Sequence, residues 1–261
     1  MWSFLYKVFT QLPAYLWSGW GAMASIFLFF AAWDVVAQYY GELILPTPKA
    51  TILALLMELS GEQIWPEIYI TIYRAFAGFL LSLLVGSLLG LLAGLFATAA
   101  MLSRPIITML LGMPPIAWIV LAMIWFGMGN ATVIFTVFIA CFPIVFVGAL
   151  QGTRTLEGDL KEMADSFQLP LRMKFTDIYF PHVFSYIFPA WIAALGMSWK
   201  IVIMAELLAS DDGLGAYLAV ARSQLDTPLA LAIVLIMVST LLILEYIVLE
   251  PLKREVEAWR V

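Results

Sequence analysis

Residues 105–153 read PIITMLLGMPPIAWIVLAMIWFGMGNATVIFTVFIACFPIVFVGALQGT and contain no Asp, Glu, Lys or Arg. A helix that crosses a bilayer needs about 20 mostly apolar residues, so this run is long enough for two crossings. The segment Gly127-Met-Gly-Asn130 is a turn signal near the middle of the run. The stretch therefore predicts two membrane helices, at about 106–126 and 131–150.

The remainder of the chain follows the same pattern. Of its 261 residues, 64% are hydrophobic and 12% are charged, whereas soluble domains carry about a quarter charged residues. These values predict an all-α integral membrane protein, with residues 1–261 in a single membrane domain and the N-terminus retained. The expected spans are about 20–40, 67–97, 106–126, 131–150, 183–208 and 228–250, with a loop at 151–182.

The basic residues predict the orientation. With the N-terminus inside, nine of the 13 Lys and Arg residues fall in cytoplasmic segments and two, Lys49 and Arg222, in external ones. Arg74 and Lys200 lie in or at the edge of helices and are undecided. The positive-inside rule therefore predicts that both termini and the 151–182 loop are cytoplasmic.

The second span carries a stripe of small residues. They recur every four positions, at Gly78, Ser82, Gly86, Gly90 and Gly94. This spacing puts them on one face, where another helix can approach closely. We expect the second span to be a packed, interior helix.

The third span contains Pro114-Pro115. Two missing N–H groups leave two carbonyls of the preceding turn without helical partners. Because unpaired carbonyls do not face lipid, a kink here is expected to face protein or a wet cavity. A purely structural kink and a pathway-lining role both remain open.

No catalytic motif is present. The chain has no Gly-Lys pair for a phosphate loop, one histidine where a zinc protease needs two, and no Gly-x-Ser-x-Gly elbow. If ATP is used, we expect another chain to hydrolyse it. The single cysteine, Cys141, is interpreted as a small packing residue.

Residues 162–181, EMADSFQLPLRMKFTDIYFP, form a charged amphipathic island between apolar stretches. The pattern predicts two short helices broken at Leu169-Pro170. Such an island lies on the membrane or docks into a soluble partner, for which helix-in-groove packing is one mode.

This island resembles the cytoplasmic loop of permease subunits of ATP-binding-cassette (ABC) importers. Glu162, Ala164, Ile178 and Pro181 match that pattern, and Gln168 stands where Gly is usual. Other segments resemble the nitrate, sulfonate, taurine and bicarbonate branch of those importers: Leu45–Pro48, Thr71–Arg74, Pro114–Trp118, Trp125–Gly129, Ala205–Ala209 and Gly213–Gly215. The resemblance covers about residues 40–250.

The resemblance implies a type I ABC importer permease fold, with a coupling helix between the fourth and fifth spans. The residues implied to contact the ATPase are Glu162, Ala164, Asp165, Phe167, Gln168, Leu169, Pro170 and Pro181. The implied partners are a second copy of the chain, two ATPase subunits and an extracytoplasmic substrate-binding protein. ATP and Mg would belong to the ATPase, and no cofactor, enzyme activity or nucleic-acid partner is expected of this chain. The implied location is the plasma membrane of a prokaryote.

Lys200 lies about 17 residues, or roughly 25 Å, into the fifth span. A lysine there costs on the order of 3 kcal/mol on insertion scales, so it should face water or a partner. It is either a cationic group on the route of an anion or a structural residue that snorkels or pairs with Asp34 or Glu206. Direct pairing with Glu206 is not expected, because six positions separate the two faces by about 240°.

Two further sets of residues are candidates. The translocation pathway is expected at Pro114, Pro115, Trp118, Lys200 and Glu206, and the contact with the binding protein at Asp211, Asp212, Gly213 and Gly215. The leading hypothesis is an importer permease that works by alternating access on a small anion such as nitrate, sulfonate, taurine or bicarbonate. The alternatives are a stand-alone channel or ion-coupled transporter, which favours inverted repeats, and a membrane enzyme or scaffold.

Overall fold

The computed structural model describes residues 2–155, 164 and 166–250, which are almost entirely helical. The helices are α1 (Trp2–Tyr40), α2 (Pro48–Ser60), α3 (Ile64–Leu95), α4 (Ala97–Gly112), α5 (Pro115–Phe126), α6 (Asn130–Arg154), α7 (Leu171–Ala209), α8 (Leu214–Ser223) and α9 (Thr227–Ile243, continued as π-helix over Leu244–Leu249).

Five of the described helices are long and apolar enough to cross a membrane. They are α1, α3, α6, α7 and α9, and the pair α4–α5 gives a sixth span if the two are counted together. The prediction of an all-helical membrane protein with about six spans is therefore confirmed.

The proline pair does more than kink the third span. The axes of α4 and α5 differ by 97°, so the kink expected in the third span is a complete break between two helices. Pro114 has extended backbone angles, with φ −61° and ψ 140°. A residue before proline is pushed out of the helical region, so Met113, which precedes Pro114, is also extended and α4 ends at Gly112. Pro115 then occupies the first turn of α5.

The bent pair nonetheless runs from one end of the helix bundle to the other. α4 begins where α3 ends, and Ala93 of α3 packs with Ile107 of α4 and Phe146 of α6. α5 ends where α6 begins, and Thr132 donates a hydrogen bond to the Ala122 carbonyl at 3.3 Å. The pair is therefore a broken span.

The chain divides into two compact units, residues 1–60 with 221–232 and residues 61–220 with 233–261. In the first unit, the Thr47 hydroxyl accepts a hydrogen bond from the Ala50 N–H at 3.2 Å and caps α2. The Trp33 indole donates to the Pro46 carbonyl at 3.0 Å. Residues Pro48–Ser60 thus form a short, capped helix.

The second unit is built around α6, which lies between α3 and α7. A Cβ added at Gly90 of α3 would lie 2.4 Å from the Phe146 carbonyl oxygen, and one at Gly148 of α6 would lie 2.4 Å from the Ala190 Cβ of α7. Both approaches leave no room for a side chain. The predicted packing role of the small-residue stripe on α3 is confirmed.

Helix α7 begins earlier than the sequence suggests. It starts at Leu171 and not near residue 183, so the second half of the amphipathic island continues directly into the fifth span. Residues Lys174–Tyr179 form a π-helical turn, in which the Phe180 N–H donates to the Phe175 carbonyl. Pro181, which follows, has no N–H to donate, and a change of hydrogen-bond register beside a proline accommodates that gap.

Candidate functional site

A buried ion pair joins α3 to α7 at the end of the bundle where α3 and α6 begin. The Arg74 Nη1 lies 3.0 Å from the Glu206 Oε1, and the two side chains are 1% and 0% exposed. Two charges removed from water in this way are tolerated only when their other hydrogen-bonding groups are also satisfied.

Each nitrogen of the Arg74 guanidinium group has a hydrogen-bond partner. Its Nε donates to the Asn130 side-chain oxygen at 2.6 Å, and its Nη1 donates to the Asp212 carbonyl at 2.9 Å. Its Nη2 pairs with the Asp212 carboxylate, which also accepts a hydrogen bond from the Ser210 hydroxyl at 2.8 Å. One guanidinium group thus connects α3, the start of α6 and the loop after α7.

The carboxylate of Asp212 lies outside the membrane spans. Its partial burial alone would raise its pKa. The hydrogen bonds from Arg74 and Ser210 and the positive charge of Arg74 outweigh this effect, so the pKa of Asp212 lies below its ordinary value. Asp212 is therefore a stable anion in this network.

The second oxygen of Glu206 binds α3 and the start of α8. It accepts hydrogen bonds from the Thr71 hydroxyl at 2.8 Å and from the Gly215 N–H at 3.1 Å. Gly213 has φ +93°, and a Cβ there would lie 2.3 Å from the Glu206 Oε1. Only glycine fits this position, because it tolerates positive φ and leaves room for the carboxylate.

These contacts place several of the predicted residues together and separate others. Glu206, Gly213 and Gly215 are buried in one cluster, to which the partly exposed Asp212 also belongs, while the side chain of Asp211 is exposed. The central residue of the cluster, Arg74, was missed as a site. The signal was a charged residue within an apolar span, which usually has a specific partner.

Lys200 lies apart from this cluster. Its neighbours Ser198 and Trp199 are 0% and 2% exposed, whereas Lys200 itself is exposed. Its ammonium group has no ion pair or hydrogen bond within the part of the chain that the structure describes. Glu206 pairs instead with Arg74, in agreement with the expectation that it does not pair directly with Lys200.

Pro114, Pro115 and Trp118 surround the bend between α4 and α5. Pro114 is exposed, and the other two are partly buried. The Trp118 indole N–H is buried without a hydrogen-bond acceptor among the described residues. A buried N–H group without an acceptor loses its hydrogen bond to water, so the position of the Trp118 indole is energetically unfavourable.

The loop before α7 closes in a Schellman motif. The Leu169 N–H donates to the Ala164 carbonyl at 3.1 Å, and Gln168 adopts the left-handed conformation with φ +47°. In a Schellman motif this hydrogen bond closes the end of a helix, and the residue in the left-handed conformation is usually glycine. The position is the one at which the resemblance expects Gly, so the geometry gives that expectation a physical reason. Glu162 and Asp165 lie outside the described residues.

The surface beside this loop is apolar and open. Phe167 is 74% exposed and Leu171 is 84% exposed, whereas Ala164 is fully buried. Pro170 is exposed, and Leu169 and Pro181 are partly buried. Exposed apolar side chains grouped on a polar segment are typical of a docking surface.

Comparison with known proteins gives a consistent picture. Residues 82–250 match the family described as binding-protein-dependent transport system inner membrane component. The chain is 26% identical over 246 residues to the taurine transport system permease protein TauC of Escherichia coli K12, covering 91% of this chain and 89% of that protein. It is 25% identical over 201 residues to the nitrate import permease protein NrtB of Synechococcus elongatus, covering 73% of this chain and 72% of that protein.

Proposed function

Because the chain belongs to the family of binding-protein-dependent transport inner membrane components, and is a permease subunit of an ABC importer, we propose that two copies together form the path for a small anion. The nature of the solute is inferred from the relatives that carry the names taurine and nitrate permease. The exposed lysine on α7 supports it, because a cation in an apolar span lowers the desolvation cost of a passing anion.

The solute is tested by transport. The permease, its ATPase and its binding protein are reconstituted in liposomes, and the uptake of nitrate, an alkanesulfonate and bicarbonate is compared with that of a neutral sugar and a cationic amino acid. We expect ATP-dependent uptake of one of the anions. Uptake of the neutral or cationic solute alone would contradict the anion proposal and leave the permease assignment intact.

The chain is a multi-pass protein of the inner membrane, and we propose that both termini and the loop at 151–182 face the cytoplasm. The nine-to-two excess of basic residues supports this orientation. Single cysteines at Phe167 and Asp211, in a Cys141→Ala background, should be labelled from opposite sides of the membrane. Labelling of Phe167→Cys by an impermeant reagent added outside intact cells would contradict the orientation.

We propose that two ATPase subunits, which bind ATP and Mg, dock on the surface formed by Phe167 and Leu171. The observation that carries this proposal is the exposure of both side chains next to a turn that is closed by a backbone hydrogen bond. The other residues that the resemblance implies for the ATPase contact have different positions. The turn itself is shaped by Ala164, Gln168, Leu169 and Pro170, and Pro181 follows the π-helical turn in α7. Glu162 and Asp165 are assigned to the ATPase contact by the resemblance alone.

The ATPase contact is tested by Phe167→Asp. The variant should reduce copurification of the ATPase and its stimulated ATP hydrolysis, because it places a charge in an apolar contact. Leu43→Asp is the matched control, since Leu43 is 71% exposed in a different loop. Equal ATPase recovery with Phe167→Asp and with the control would remove the basis for this docking surface.

At the other end of the bundle, we propose that the binding protein contacts Asp211 directly. Asp212, Gly213 and Gly215 then act by holding the shape of the loop through Arg74 and Glu206. Glu206 influences the pathway in the same indirect way, because its carboxylate is already fully paired. Pro114, Pro115, Trp118 and Lys200 remain the proposed pathway residues.

A further inference from the structure

A groove between α4 and α6 belongs to none of the sites described above. It encloses about 320 Å³ and lies near the end of the bundle where α6 ends. Its wall is apolar and is formed mainly by Ala100, Ile107, Leu111, Phe146, Val147 and Leu150.

Two arginines form the rim of this groove. Arg104 comes from the second turn of α4 and Arg154 is the last residue of α6. Both are exposed, and neither guanidinium group has an acidic partner or a hydrogen bond within the described residues. Two positive charges at one rim, with no acidic side chain bound to them among the described residues, favour an anionic ligand.

The other polar groups of the groove are already engaged. The Ser103 hydroxyl donates to the Ala100 carbonyl at 3.1 Å, and the Thr108 hydroxyl donates to the Arg104 carbonyl at 2.8 Å. The donors that remain for a ligand are therefore those of the two guanidinium groups. They suit an acceptor with several oxygens, such as a phosphate, which arginine binds through parallel hydrogen bonds.

We propose that this groove binds an anionic phospholipid, with the phosphate between Arg104 and Arg154 and one acyl chain along the apolar wall. A small hydrated anion would match the rim but would leave the wall unfilled, whereas a lipid matches both. The arginines lie on the side assigned to the cytoplasmic leaflet, where anionic lipids attract basic residues. This inference does not depend on which solute the importer carries.

The test uses the purified full-length chain in mild detergent and native mass spectrometry. Phosphatidylglycerol is compared with phosphatidylcholine of the same acyl chains. We expect preferential retention of phosphatidylglycerol by the unmodified protein. The double variant Arg104→Gln/Arg154→Gln should bind it about 25-fold more weakly, since each basic residue near an anionic lipid contributes a factor of about five.

Two further variants make the test specific. Arg172→Gln removes an exposed arginine at the start of α7 and should leave the preference unchanged. Leu150→Trp fills the groove but keeps both arginines, so it should weaken phosphatidylglycerol binding as well. If the double arginine variant fails to fold, Leu150→Trp still tests whether the groove binds the lipid.

Each other result would overturn the proposal. Equal binding of the two lipids, or an unchanged preference in the double variant, would show that the arginines do not select the headgroup. Displacement of the lipid by glycerol phosphate, together with normal binding to Leu150→Trp, would indicate a phosphate site without an acyl chain. Loss of self-association in the double variant, without any lipid preference in the unmodified protein, would identify a second copy of the chain as the occupant of the groove.

Discussion

Arg74 is the residue whose loss should affect the membrane domain most. It is fully buried and binds Glu206, Asp212 and Asn130. Arg74→Met should therefore lower the free energy of unfolding by roughly 3–5 kcal/mol, because it leaves a buried carboxylate without a partner. The measurement is the thermal midpoint of the purified protein in detergent.

Two variants control for this effect. Arg222→Met removes an exposed arginine and should change stability by less than about 0.5 kcal/mol. Arg74→Lys keeps the charge but should recover only part of the loss, since one ammonium group does not reproduce the planar set of donors. If Arg74→Met unfolds at the same temperature as the unmodified protein, the ion pair has no structural role.

Gln168 gives a second prediction at the residue scale. Its left-handed backbone, with φ +47°, costs a non-glycine residue roughly 1 kcal/mol. Gln168→Gly should therefore stabilise the turn and slow hydrogen exchange at the Leu169 amide about fivefold. Gln151→Gly, a change of the same kind within helical residues of α6, should destabilise by about 1 kcal/mol. Faster exchange at Leu169 in Gln168→Gly would contradict the Schellman geometry.

At the scale of elements, the sequence predicted features that depend on local spacing. The stripe from Gly78 to Gly94 identified the packed face of α3, because one helix alone determines which residues share a face. Pro114-Pro115 identified the break, but not its angle of 97°, since that angle depends on how α4 packs against α3 and α6. The start of α7 was placed too late because the amphipathic pattern of residues 171–181 was interpreted as a separate helix.

The contact between α3 and α6 gives a prediction at this scale. Gly90→Ala should destabilise the protein by about 1–3 kcal/mol, because the new methyl group meets backbone atoms of α6 and the helices must move apart. Gly21→Ala in α1 is the control, since a Cβ there meets no atom within 4 Å. The same loss of thermal stability in both variants would mean that the close approach at Gly90 is not responsible.

At the scale of the whole molecule, the sequence identified the family and class but not the network that joins the helices. Arg74 and Glu206 are 132 positions apart. Apolar periodicity does not tell which faces of two distant helices meet, so this pair was not predicted. Lys200 and Glu206 were considered together because they are close in sequence, and the structure gives them different surroundings. The coupling turn was identified from motif residues, and its left-handed residue explains why one position of the motif favours glycine.

The transport role of the assembled importer depends on whether Lys200 faces the solute. Lys200→Met keeps the apolar stem and removes the charge that offsets the desolvation of an anion. We expect ATP-driven uptake to fall by about tenfold, equivalent to roughly 1.4 kcal/mol, while assembly with the ATPase and stimulated ATP hydrolysis stay largely intact. Lys49→Met, which removes an exposed charge from the first turn of α2, should transport normally. Because Lys200 has no carboxylate partner among the described residues, Lys200→Met should also keep the thermal midpoint. A large drop in that midpoint would favour a structural role in the assembled protein, and normal uptake would exclude Lys200 from the pathway.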